Sequence, residues 1–127
     1  MMDERLIARF TAAGRIAVGA GFVAHPALAM RPWLGTEARK PVVRLLSRAL
    51  GARDLVLGIG TLATLEDRPA LQRWLQAALI ADTTDFAVTL AERDHLPRSG
   101  RALVLAIAGG AVALGGAAVA AGRRDTV

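Results

Sequence analysis

The stretch RALGARDLVLGIG, residues 48–60, places two arginines and an aspartate inside an otherwise apolar helical pattern. Small or polar residues recur at spacings of four and three, which brings them to one helix face: Ser47, Gly51, Asp54, Gly58 and Thr61. Such a face lets a second helix approach closely. We therefore expect Asp54 to point toward protein, with Gly51 and Gly58 as close-packing positions.

Four long apolar segments organise the chain of 127 residues, 54% of which are hydrophobic. Residues 102–122 contain no charge and are long enough to cross the roughly 30 Å of a hydrocarbon core. Residues 6–30, 42–65 and 71–91 have similar lengths but carry charges, and the connections between segments are short and rich in proline and glycine. This pattern predicts an all-α fold, a four-helix transmembrane bundle running up-down-up-down, in a single domain of residues 1–127.

The first segment also has some features of a cleavable signal peptide. Its uninterrupted apolar part, residues 16–24, is short, and ALA at residues 27–29 loosely resembles a cleavage site. However, the start MMDER contains acidic as well as basic residues, and Arg15 interrupts the apolar pattern. We therefore expect a retained span. Basic residues divide evenly between the two sides of the predicted bundle, so the positive-inside rule leaves the orientation open.

The third segment places Asp82 and Asp85 on one helix face. Because Arg53 and Asp82 are equally distant from the turn centred near residues 67 and 68, we expect them to pair at matched depth; a pair of Arg53 with Asp85 is the alternative. The predicted charge cluster contains three cations and three anions: Arg15, Arg48, Arg53, Asp54, Asp82 and Asp85. Charges in a bilayer need partners, so the cluster is either a structural ion network or a path for a solute or proton.

The fourth segment has a face of small residues that includes Gly109 and Gly116. Small residues allow close helix packing in membranes. We expect this face to seal the bundle, and a seam between two copies of the chain is the alternative.

Composition also excludes several classes of site. The chain has no cysteine and only two histidines, which lack ligand spacing, so we expect no metal and no cofactor. Its net charge of +5 comes from scattered arginines without interleaved aromatic residues. That arrangement suits loops beside an anionic bilayer better than nucleic acid. The expected partners are the lipid bilayer and, in addition, a second copy or a larger membrane complex.

The pattern RxxGARDLxLG at residues 48–58, followed by ADxxD at residues 81–85, resembles a family of small uncharacterised four-span bacterial membrane proteins. That family is a domain of unknown function in which a G-x-R-D helix precedes a helix with aspartates; DoxX-like membrane proteins are more distantly similar. The resemblance implies a four-helix membrane fold and no particular activity. It marks six characteristic positions: Gly51, Arg53, Asp54, Gly58, Asp82 and Asp85.

These observations predict a multi-pass protein of the cell membrane. We expect a non-enzymatic membrane component or accessory subunit that contains a buried Arg/Asp cluster. The alternative is a small proton-coupled transporter or solute carrier that uses the same cluster. A membrane oxidoreductase is disfavoured because the sequence offers no ligands for a redox centre.

Overall fold

A computed structural model describes residues 3–124, apart from the side chains of Ser99 and Leu103. In this part of the chain the regular structure is entirely helical, as expected for an all-α fold. Five α-helices follow one another, with 3₁₀ turns at Gly35–Arg39 and Arg93–His95: α1 Glu4–Ala24, α2 Pro26–Leu34, α3 Pro41–Ala63, α4 Arg68–Ala91 and α5 Arg98–Arg124.

Local sequence signals explain where these helices begin. Asp3 caps α1 by accepting a hydrogen bond from the Arg5 amide at 3.2 Å, and Asp67 caps α4 by accepting one from the Ala70 amide at 3.1 Å. Pro41 occupies the first turn of α3, where its missing N–H costs no hydrogen bond. The bounds of α3, α4 and α5 lie within a few residues of the second, third and fourth predicted segments.

The first predicted segment, residues 6–30, is divided into two helices at His25. Pro26 has no N–H to donate to the carbonyl of Phe22, so the helical hydrogen bonding stops there. The side chain of Ser47 on α3 donates to that carbonyl at 3.1 Å. The expectation of one continuous helix is therefore wrong, and α3 compensates for the break.

The four long helices contact one another in the ring order α1, α3, α4 and α5, and α5 closes the ring on α1. Neighbours in the ring run antiparallel: for example, Gly19 of α1 faces Gly51 of α3, and Gly58 of α3 faces Ala12 and Ile16 of α1. A buried apolar core joins three of the helices at one end of the molecule, formed by Ile7, Ala8, Leu71, Leu75, Ala118 and Val119.

Among the described residues, two helices are long and apolar enough to cross a membrane: Glu4–Ala24 and Gly100–Arg124. They correspond to the first and fourth predicted segments. Both α3 and α4 have sufficient length, but each carries charged residues in its middle, Arg53 and Asp54 on α3 and Asp82 and Asp85 on α4. Whether α3 and α4 can also cross a membrane therefore depends on how those charged side chains are paired.

Candidate functional site: a cluster of arginines and aspartates

Arg15, halfway along α1, connects three helices through its guanidinium group. Its Nη1 donates to Oδ1 of Asp54 on α3 at 3.0 Å, and its Nη2 donates to Oδ2 of Asp82 on α4 at 2.5 Å. The three side chains are only 11–13% exposed. Buried charges are stable only when they are paired and hydrogen-bonded, so α1, α3 and α4 are held together at this point.

Arg53 extends the network toward the outer side of the α3–α4 pair. Its Nη1 and Nη2 bind the two carboxylate oxygens of Asp85 at 2.9 and 2.6 Å, which is the bidentate geometry typical of strong arginine–carboxylate pairs. Nη2 also lies 3.2 Å from Oδ1 of Asp54. Asp54 therefore accepts from both arginines, and the five side chains form one continuous chain of ion pairs.

The expected pairing of Arg53 with Asp82 is wrong, and the alternative pairing with Asp85 is the observed one. The physical reason is the direction of the side chains around α4. Asp85 lies three residues beyond Asp82, which is a rotation of about 60° around the helix. Asp82 consequently reaches Arg15 on α1, whereas Asp85 reaches Arg53 on α3.

Arg48 does not belong to the cluster, contrary to expectation. Its side chain is exposed, and its Nε donates to the carbonyl of Val23 at 3.2 Å, beside the break between α1 and α2. The cluster therefore contains two arginines and three aspartates. With all five groups ionised its formal charge is −1, and the predicted balance of three cations with three anions does not hold.

The excess carboxylate leaves hydrogen-bonding capacity unused inside the cluster. Neither Oδ2 of Asp54 nor Oδ1 of Asp82 is hydrogen-bonded to another described residue. These two oxygens could accept a proton or a hydrogen bond from a solute. No group of three or more acidic, histidine or cysteine side chains among the described residues is placed to hold a metal ion.

Glycines allow α1 to approach α3 closely beside the cluster. A Cβ atom on Gly51 would lie 2.6 Å from the carbonyl oxygen of Gly19, and one on Gly58 would lie 2.7 Å from Cγ1 of Ile16. Real side chains do not tolerate such distances, so Gly51 and Gly58 are close-packing positions. Gly19 was not predicted as a close-packing position, although it lies one turn after Arg15 on the same face of α1.

The two glycines predicted on α5 behave differently. A Cβ atom on Gly109 would make an ordinary contact with Phe86 at 3.5 Å, and one on Gly116 would meet no described atom within 4 Å. Gly115 lies nearer to its neighbour, because its Cβ would be 3.3 Å from Leu79. Gly109 and Gly116 are therefore not required for close packing of α5 against α4.

A second polar group that sequence reasoning missed lies at the end of the molecule where α1 and α4 begin. Glu4 is only 6% exposed; it accepts a hydrogen bond from Nη2 of Arg68 at 3.3 Å and another from the side chain of Gln72. Arg68 also donates to the carbonyl of Gly122 near the end of α5 at 3.2 Å. No helical period predicts this group, because its members come from three helix termini.

No family model, curated protein or solved structure matches the chain. The function therefore has to be inferred from the geometry of the cluster and from the surface that surrounds it.

Proposed function

We propose that the chain is a small integral membrane protein in which α1, α3, α4 and α5 cross the bilayer as an up-down-up-down four-helix bundle. The outward faces of all four helices support this placement. Large apolar side chains project from each of them, including Phe10, Leu45, Ile80 and Ile107, which are 77%, 68%, 68% and 64% exposed. Exposed apolar surface on every side is unusual for a protein in water and suits contact with lipid.

The charges on α3 and α4 are compatible with this placement because they pair with one another and with α1. Asp54 and Asp82 are almost enclosed, and Arg53 is bound to both Asp54 and Asp85. Intramembrane ionisable residues normally face the interior of a bundle and have such partners. The exposed Arg9, which lies near the start of α1, can direct its head group toward the bilayer surface.

Within this fold we assign the cluster a structural role, and the chain the role of a non-enzymatic membrane component or accessory subunit. The observation that carries this assignment is the bridge from Arg15 to both Asp54 and Asp82. One guanidinium group fixes the relative positions of three helices, and the glycine contacts between α1 and α3 bring the helices close enough for it to do so. The resemblance to small four-span membrane proteins stays a prediction.

A second candidate function is proton-coupled transport. The observation in its favour is the excess of three aspartates over two arginines, together with the unused oxygens of Asp54 and Asp82. A carboxylate without full neutralisation is a natural proton acceptor in membrane carriers. The two roles differ in whether protons move through the protein.

Proton flux in liposomes separates the two functions. The full chain, its Asp82→Asn variant and a control Asp94→Asn variant would be reconstituted with an internal pH-sensitive dye and exposed to an imposed membrane potential. Asp94 is a suitable control because it lies in the exposed 3₁₀ turn after α4. We expect proton entry no faster than in empty liposomes, and a lower unfolding temperature for Asp82→Asn than for Asp94→Asn.

Faster proton entry that Asp82→Asn abolishes and Asp94→Asn preserves would overturn the structural assignment in favour of the carrier. Equal unfolding temperatures of the two variants would also count against a structural cluster, because Asp82 would then contribute nothing to the association of α1 with α4.

A further inference from the structure

An open cleft of about 360 Å³ lies beside the break between α1 and α2, away from the Arg/Asp cluster. Its walls combine the backbone at the break with two arginines from the first part of α3, and none of the described residues that line it is acidic. The residues that line it are Ala24, His25, Pro26, Ala27, Leu28, Arg44 and Arg48. We propose that this cleft binds a phosphate-bearing anion through Arg44 and Arg48.

The two arginines have unused hydrogen-bond donors and form no ion pair with a described carboxylate. The side chain of Arg44 makes no hydrogen bond or ion pair with any described residue, and the side chain of Arg48 uses only its Nε, which donates to the carbonyl of Val23. The residues are four apart on α3, so their charges lie on the same side and repel each other. An anion between them would remove that repulsion and satisfy the free guanidinium donors.

The first turn of α2 contributes further donors to the same cleft. Pro26 has no N–H, and the first backbone bond of this helix runs from the Ala29 amide to the His25 carbonyl at 2.9 Å. The amides of Ala27 and Leu28 precede that bond, and no side chain caps the helix. Free amides at a helix start favour anions. They add to the two guanidinium groups, whose planar forks match the oxygens of a phosphate.

Phosphate could reach this cleft from two sources, a lipid head group or the aqueous phase. Arg44 lies three residues after the start of α3, so in the proposed membrane placement it lies near the level of lipid phosphates. Basic clefts between membrane helices are a known type of lipid head-group site. Only the lipid source depends on that placement, since the donors themselves would bind a dissolved phosphate in the same way.

Thermal unfolding of the full chain in neutral detergent, followed by the fluorescence of Trp33 and Trp74, tests the proposal. Inorganic phosphate would be titrated at constant ionic strength, and phosphatidylglycerol would be added separately to the micelles, with phosphatidylcholine as the zwitterionic comparison. We expect at least one of the two anions to raise the unfolding temperature in a saturable way. The double variant Arg44→Gln/Arg48→Gln should bind that anion about tenfold or more weakly.

The matched control is Arg31→Gln/Arg39→Gln, which removes the same charge from exposed positions outside the cleft and should leave the affinity unchanged. A saturable effect of inorganic phosphate would identify the dissolved source, and an effect of phosphatidylglycerol alone would identify the lipid source. If neither anion stabilises the chain, or if both double variants lose the effect equally, the proposal is overturned. If Arg44→Gln/Arg48→Gln unfolds, the single variant Arg44→Gln is used instead, because the side chain of Arg44 pairs with no other described residue.

Discussion

At the scale of single residues, Asp54 is the centre of the cluster. Its Oδ1 accepts from Arg15 at 3.0 Å and from Arg53 at 3.2 Å, so the two ion pairs are not independent of each other. Arg15 lies on the enclosed side of Asp54, and Arg53, which is 32% exposed, lies on the more open side. The pairing can therefore be tested only by changing partners together.

The observed pairing predicts a specific pattern of energetic coupling. Replacing Arg53 and Asp85 by leucine, singly and together, should show a coupling of about 1–3 kcal/mol in the free energy of unfolding, because the pair shares two direct hydrogen bonds. The same cycle on Arg53 and Asp82 should give a clearly smaller coupling, because these two side chains share no hydrogen bond and are connected only through Asp54 and Arg15. Unfolding in mixed micelles provides the measurement, and equal coupling in both cycles would contradict the observed geometry.

At the scale of helices, the sequence predicted which face of a helix packs against protein, but it did not predict which side chain on another helix a charged residue binds. The period of residues 47–61 correctly gave the face that packs on α1, because the spacing of residues along one helix depends on that helix alone. The pairing of Arg53 depended also on the rotation of α4, which no pattern within α3 specifies. The break at His25 was not predicted because the apolar pattern continues through it, although Pro26 indicates the end of a helix.

Closely packed glycines should tolerate no side chain, whereas exposed ones should. Gly19→Ala would place a methyl group 2.7 Å from the carbonyl oxygen of Gly51, and such overpacking costs about 1–3 kcal/mol. Gly14→Ala on the same helix meets no described atom within 4 Å, and alanine favours the helix by about 0.5–1 kcal/mol. We expect Gly19→Ala to lower the unfolding temperature and Gly14→Ala to leave it unchanged or higher. The reverse order would mean that α1 and α3 are not in close contact.

At the scale of the whole molecule, charged side chains from the middle of the helices lie inside and many large apolar side chains lie on the surface, beside a buried apolar core that joins α1, α4 and α5. Mid-helix charges such as Arg15 and Asp54 lie between helices, while side chains such as Phe10 and Ile80 project outward. The connections divide between two ends. The turn after α3 lies with the start of α1, and Gly35 lies with Pro97 at the opposite end.

This division predicts which sites a reagent can reach from each side of a membrane. The chain has no cysteine, so single cysteines can be placed at exposed Thr36 and Asp94, at one end, and at Glu66, at the other. In sealed vesicles an impermeant maleimide should label the first two from one side and the third only from the opposite side. A cysteine at Ile80, 68% exposed but midway along α4, should resist labelling until detergent is added, because lipid covers it. Labelling of Ile80→Cys as fast as Glu66→Cys in intact vesicles would mean that α4 lies in water. If all three loop positions react from the same side, α3 and α4 do not each cross the membrane, and the four-span arrangement is excluded.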